Sequence, residues 1–241
     1  MYLEGFDCAF PQGTIRWEQV PEKYRFIVAQ VANGVHGRDP TGHPNLAGMK
    51  KTGRICGVYL FFNEEDPEEQ VKNFWEACGG EVPHFIAIDF ETIGTGVTPA
   101  VRLERLRAVI RACRKYFGAI RLVIYTYPNF DLQVMGAALA AATDLLDDAD
   151  GLWIADYGKG ENVDGKQPWV VPPWKTWRMW QTSGNNSTYI EGVNGHVDHD
   201  VFNGTEAEMR AWLGLNGQGE VDTIVPAPVD FPDRDYSDGP K

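Results

Sequence analysis

The sequence predicts an α/β fold: one irregular (β/α) barrel of the TIM type, a single domain over residues 1–213. Three observations carry this. Apolar strand-like runs alternate with helical runs through most of the 241 residues, which is the pattern of a mainly parallel sheet. No Gly-rich dinucleotide loop is present, which disfavours an open doubly wound sheet. Six to eight strands within about 210 residues suit a closed barrel.

The elements follow in order. Leu3–Cys8 is the first strand candidate and brings Asp7 near its end. Phe26–Ala32 and Ile55–Phe62 are the next two. Asp66–Cys78 reads as a helix, opened by Asp66 as cap and Pro67 at the first helical position. Phe85–Glu91 is the fourth strand. Pro99–Phe117 is strongly amphipathic, with Leu103, Leu106, Ile110, Cys113 and Phe117 at helical spacing. Arg121–Thr126 is a strand, Leu132–Leu146 an Ala-rich helix, and the four acids of Asp144–Asp150 a solvated helix end. Leu152–Ala155 and Thr176–Thr182 complete the strands with little helix between them, so the second half should be irregular. At residues 214–241 the composition turns to Gly, Pro and Asp, as in a tail or linker.

Composition narrows the function. A formal charge of −12 argues against nucleic acid as a partner, because phosphate backbones need a basic face. No apolar run approaches the ~20 residues that span a bilayer, so no membrane partner is expected. Eight Trp and nine Tyr are more aromatics than a core needs, and aromatics line clefts that stack on sugars. Cys8, Cys56, Cys78 and Cys113 match no zinc or redox spacing; they read as buried free thiols, with one disulfide as the alternative. No cofactor is called for, and a monomer is expected.

The candidate chemistry lies in Phe85-Ile86-Ala87-Ile88-Asp89-Phe90-Glu91. Strand side chains alternate faces, so Asp89 and Glu91 should point the same way, about 6–7 Å apart. Paired carboxylates are the usual equipment for cutting glycosidic bonds. In α/β barrels the chemistry sits at the C-terminal ends of strands, where Asp7, the Asp89/Glu91 pair and the distant Asp198 and Asp200 would converge. Such clustering makes at least one acid hard to ionise, as a general acid near neutral pH requires. The spacing alone admits either a retaining or an inverting geometry.

The motifs resemble the glycoside hydrolase family 25 lysozymes, the N,O-diacetylmuramidases. Gly5-Phe6-Asp7, Gln12-Gly13 and Ile15-x-Trp17 are similar to the family's opening. Gly57-Val58-Tyr59-Leu60-Phe61 and Asp89-Phe90-Glu91 follow, then Ile124-Tyr125-Thr126, Leu152-Trp153-Ile154-Ala155 and Trp177-x-x-Trp180-Gln181. Val197-Asp198-x-Asp200-x-Phe202-Asn203-Gly204 resembles the closing motif, and the likeness covers about residues 3–213.

The resemblance implies a muramidase that cleaves the β-1,4 bond between N-acetylmuramic acid and N-acetylglucosamine of bacterial peptidoglycan with retention. It assigns Glu91 as general acid/base, Asp89 as the acid steadying the substrate's acetamido group, and Asp7 and Asp198 as further pocket acids. It places Tyr59, Tyr125, Trp153, Trp180 and Gln181 against the sugar. The chain departs from the family pattern at His36-Gly37-Arg38-Asp39-Pro40, at Leu60 and at the acidic Asn63-Glu64-Glu65-Asp66.

Other readings compete. His196-x-Asp198-His199 could hold zinc, but no other His falls in a ligand-spaced motif. Trp169, Trp174 and Trp177 could form a sugar platform or pack a proline-rich connection. A family 18 chitinase would carry further acids upstream, where Ala87 and Phe85 stand. A non-catalytic wall-binding component should lack one of the acids. With no leader-like segment at the start, the expectation is a phage endolysin or bacterial lysozyme acting at the bacterial wall. It would be released by lysis through a holin or carry a leader removed from the native protein.

Overall fold

Eight strands close on themselves in the computed structural model, which describes residues 2–184 and 188–215. In chain order the elements are β1 (Leu3–Cys8), β2 (Tyr24–Asn33), the short β3 (Gly37–Arg38), α1 (Gly42–Lys51), β4 (Ile55–Phe61), α2 (Pro67–Ala77), β5 (Phe85–Asp89), α3 (Pro99–Phe117) and β6 (Arg121–Thr126). A π-helical turn (Phe130–Met135) leads to α4 (Gly136–Ala140), α5 (Leu145–Asp148), β7 (Gly151–Ala155), β8 (Met179–Gln181), β9 (Thr188–Tyr189), β10 (His196–Phe202) and α6 (Glu206–Leu213).

Around the barrel the order is β1-β2-β4-β5-β6-β7-β8-β10. From β1 to β8 every pairing is parallel, so seven C-terminal strand ends share one rim. β10 runs antiparallel to both its neighbours. Its N-terminal half therefore reaches that same rim, which sets Asp198 opposite Asp7 in the register.

Two apolar layers hold the barrel. Inside it, Phe26, Val28, Phe85, Ala87, Val123, Met179 and Phe202 pack together, and Met209 and Leu213 of α6 join them. Gly5 and Gly57 make room for this filling: a Cβ on Gly5 would lie 2.4 Å from the Phe26 carbonyl oxygen, and one on Gly57 2.3 Å from the Phe85 ring. Between strands and helices lies the outer layer, with Ile86 and Ile88 of β5 against Leu106, Ile110, Cys113 and Phe117 of α3. Asp66 caps α2 by accepting from the Glu69 N–H at 3.0 Å, as its Asp-Pro start predicted.

Several expectations change. β5 ends at Asp89, so Glu91 lies in the loop beyond it. β8 keeps only Met179–Gln181 of the expected Thr176–Thr182. The single helix over Leu132–Leu146 is broken, because Gly136 takes a positive φ of 50° and resets the chain between short helical pieces. The acids of Asp144–Asp150 are not simply solvated. Asp144 pairs with Arg107 at 2.5 Å, and Asp150 with Arg114 at 2.8 Å and Arg121 at 2.6 Å, tying this segment to α3 and β6. All four cysteines are buried and free, which corrects the disulfide alternative. Of the expected tail, Gly214 closes α6 in the left-handed conformation and Leu215 follows it; residues 216–241 lie outside the described residues.

Candidate active site

Strand alternation builds the pocket at the rim. On β5, Phe85 and Ala87 fill the barrel interior, so Asp89 is the next inward side chain, at the strand's last residue. On β1 the inward position near the end is Asp7, and on β4 it is Tyr59, since Val58 and Leu60 pack outward. Tyr125 and Trp153 are inward on β6 and β7, Gln181 on β8 and Asp198 on β10. With Glu91 they enclose a pocket of about 150 Å³. The loop placement of Glu91 leaves it half-buried, while Asp89 is buried.

Hydrogen bonds fix the walls. The Tyr125 and Tyr157 hydroxyls both donate to Gln181 Oε1, at 2.8 and 2.7 Å, and Gln181 Nε2 donates to Asp7 Oδ2 at 2.6 Å. The Gln181 amide is thereby oriented: two hydroxyls occupy its oxygen and an acid its nitrogen. Trp153 stands edge-on to Tyr125 at 4.8 Å between centroids, and its Nε1 donates to Asp200 Oδ1 at 2.8 Å.

The electrostatics follow from so many buried acids. Burial, and then the Asp198 charge, lift Asp7 to about 7, against the lowering effect of the Gln181 hydrogen bond. Asp89 is pushed well up by burial, by Glu91 and by Asp7, with Arg102 pulling the other way. Burial raises Glu91 as well. Asp200 is raised by burial and by Asp7, so it keeps its proton beside Asp7. The pocket is thus built to hold protons at pH values where exposed carboxylates have lost theirs.

Of the residues expected at the site, Asp7, Tyr59, Asp89, Glu91, Tyr125, Trp153, Gln181 and Asp198 line this one pocket. Trp180 does not, and its expected sugar contact needs correcting. It alternates with Gln181, so its ring turns outward into the outer core, fully buried, and its Nε1 donates to the Asp156 carbonyl at 3.0 Å. Trp174 and Trp177 are buried too, which favours the packing reading for them, while Trp169 is 52% exposed. His199 turns away from the pocket to Thr182, 2.7 Å from its Oγ1, and His196 is exposed beside Tyr189. Among the described residues no group of three or more His, Cys, Asp or Glu side chains could hold a metal ion.

The sequence reading missed Tyr157 as a site residue and left Asp200 without a role. Tyr157 follows β7 and feels Asp198, Asp7 and Glu91, with its ring half-exposed at the pocket edge. Its position two residues past Ala155 was the available signal.

Residues 6–193 match the sequence profile described as Glycosyl hydrolases family 25. The chain belongs to that family. It is accordingly a glycoside hydrolase of the lysozyme, or muramidase, class. The lysozyme M1 of Streptomyces globisporus is 24% identical over 223 residues, covering 87% of this chain and 70% of that protein. YegX of Escherichia coli O157:H7, a protein described as uncharacterized, is 49% identical over 222 residues, covering 88% of this chain and 73% of that protein. The barrel superposes on the bacterial lysozyme from Streptomyces coelicolor with a TM-score of 0.73 at 23% identity, over 89% of this chain and 97% of that one. The family 25 fold therefore spans nearly all of the described barrel, and no helix among the described residues is long and apolar enough to cross a membrane.

Proposed function

We propose that this family 25 lysozyme cleaves the β-1,4 bond between N-acetylmuramic acid and N-acetylglucosamine in bacterial peptidoglycan, with retention. The observation that carries the reading is the meeting of Asp89 and Glu91 with Asp7 and Asp198 in one aromatic-walled pocket. Glu91 is the general acid/base: half-buried and raised, it carries a proton to the glycosidic oxygen. As the bond to the leaving sugar breaks, the carbonyl oxygen of the substrate's own acetamido group attacks the anomeric carbon from the opposite face. Asp89 accepts the acetamido N–H and offsets the positive charge of the cyclic intermediate. Glu91 then takes a proton from water, which opens the ring on the original face. Substrate assistance removes the need for an enzymic nucleophile, which suits a second acid used for orientation.

Asp7, Asp198 and Gln181 shape the floor, and Tyr59, Tyr125, Trp153 and Tyr157 supply aromatic and hydroxyl contacts to the sugar. We place the protein at the bacterial cell wall, acting as a monomer in the manner of an endolysin or secreted lysozyme.

Wild type and Glu91→Gln on purified peptidoglycan, with the released ends reduced and identified by mass spectrometry, test the reading. Wild type should free reducing-end muramic acid, and the variant should be slower by about 10²–10⁴-fold. Wall binding by both proteins without cleavage by either would instead make this a wall-binding component.

A further inference from the structure

Arg102 is a buried charge that the mechanism above leaves unused. It sits on α3, outside the barrel wall, and its side chain is fully buried. Its Nη1 donates to the Asn63 carbonyl at 2.7 Å and its Nη2 to the Phe62 carbonyl at 2.8 Å, in the segment that follows β4. The guanidinium lies 3.8 Å over the Phe62 ring and 5.3 Å from that of Phe90, and these two rings stack on each other. Phe90 is the residue between Asp89 and Glu91, and the Phe62 N–H bonds the Asp89 carbonyl at 3.2 Å. One guanidinium thus touches both the segment after β4 and the loop after β5 that carries Phe90 and Glu91.

A buried guanidinium is costly, and packing alone does not call for one: an apolar chain of the same length fits between two phenyl rings. Two orphan atoms mark the region. Asp89 Oδ1 and Arg102 Nε have no hydrogen-bond partner among the described residues. Asp89 is faced by Glu91 from its own loop, Asp7 from β1, Tyr59 from β4 and Tyr125 from β6, and none of these carries positive charge. Arg102 is the cation that acts on it. Arg102 in turn is faced by Glu64 at 3.5 Å and by Arg105. Its own pKa falls only to about 10, so it stays charged at any working pH.

We infer that Arg102 is a positioning residue for the acid pair: it locks the segment after β4 against the loop that carries Phe90, and it sets a positive charge behind Asp89. This rests on the proposed roles of Asp89 and Glu91. Without that charge, nothing facing Asp89 would oppose burial and the neighbouring acids in favouring its protonated form, and the acetamido group would meet a weaker acceptor.

The test compares wild type with Arg102→Met, Arg102→Lys and Glu64→Gln, by ¹³C NMR titration of the Asp89 carboxyl and by kinetics across pH. Arg102→Met should move the Asp89 titration up by about one pH unit, with the acid limb of kcat following. Its kcat should fall about tenfold with KM nearly unchanged. Arg102→Lys should recover part of the charge effect. Glu64→Gln, which removes a negative charge beside Arg102, should move the titration the other way. Unshifted titrations in Arg102→Met and Glu64→Gln overturn the inference, as does wild-type turnover per folded molecule in Arg102→Met. If Arg102→Met does not fold, the Lys and Glu64 variants decide by the same readouts. An inactive wild type would overturn the proposed function, while the Asp89 titrations would still decide the role of Arg102.

Discussion

Asp131 is a further buried acid, outside the pocket. It sits in the π-helical turn after β6, is 2% exposed, and accepts from Thr126 Oγ1 at 2.7 Å through one oxygen only. Its other oxygen has no partner among the described residues. Burial lifts its pKa to about 7, with the Thr126 bond opposing. The folded protein thus keeps this proton while the unfolded chain releases it near 3.8. Stability from the protonated form is complete below that value and is lost as pH rises towards 7. Asp131→Asn keeps the Thr126 bond and removes the titration. It should match wild type at pH 4 and exceed it at pH 8, by at most about 4 kcal/mol. Denaturant melts at both pH values check this; an equal gain at both would show that ionisation is not the cause. At this scale the sequence was informative where alternation applied. Asp89 was legible because strand residues two apart share a face, and Asp7 because it lies near a strand end, whereas Tyr59 and Tyr125 came from the family resemblance. Trp180 was misplaced although the same rule, applied from Gln181, turns it outward. Glu91 reaches the pocket from a loop, where no period governs it.

Among elements, α6 shows what a short helix contributes. It carries a capping box, with Thr205 accepting from the Glu208 N–H and Glu208 accepting from the Thr205 N–H at 2.7 Å. It delivers Met209 and Leu213 to the barrel's inner core, away from the pocket. Met209→Ala should cost about 2–5 kcal/mol through the cavity it leaves, with kcat per folded molecule unchanged. A thermal melt beside an activity assay separates the two, and a loss of kcat without a loss of stability would contradict the assignment. Thr205-x-x-Glu208 was visible in the sequence, yet eight helical residues are too few for a clear period, so the helix went unread. The helix α1 was hidden differently: its first turn holds Gly42, Pro44 and Asn45, all poor helix formers. By contrast, Pro99–Phe117 gave five turns of consistent spacing and appears residue for residue. The break at Gly136 escaped because an Ala-rich flank masks a single glycine.

For the molecule as a whole, the decisive quantity is the formal charge of −12. A protein so acidic is repelled by wall polymers rich in phosphate, over a distance set by the ionic strength. The Debye length is about 30 Å at 0.01 M salt and about 8 Å at 0.15 M, so the repulsion reaches across the molecule in the first case and only its rim in the second. Repulsion of this kind slows encounter more than it alters the bound state, so it should appear in kcat/KM rather than in kcat. Cleavage of walls that carry anionic polymers should therefore rise several-fold between about 0.01 and 0.15 M salt. On the same walls stripped of those polymers, and on short soluble glycan fragments, the rise should be much smaller. Asp7 and Asp89 lie buried and are screened little by salt, so the pH profile should hold its shape across the series. Initial rates on the three substrates at matched pH make the comparison. An equal salt response on all three would place the effect in the pocket itself and not in the approach of an acidic protein to an acidic wall.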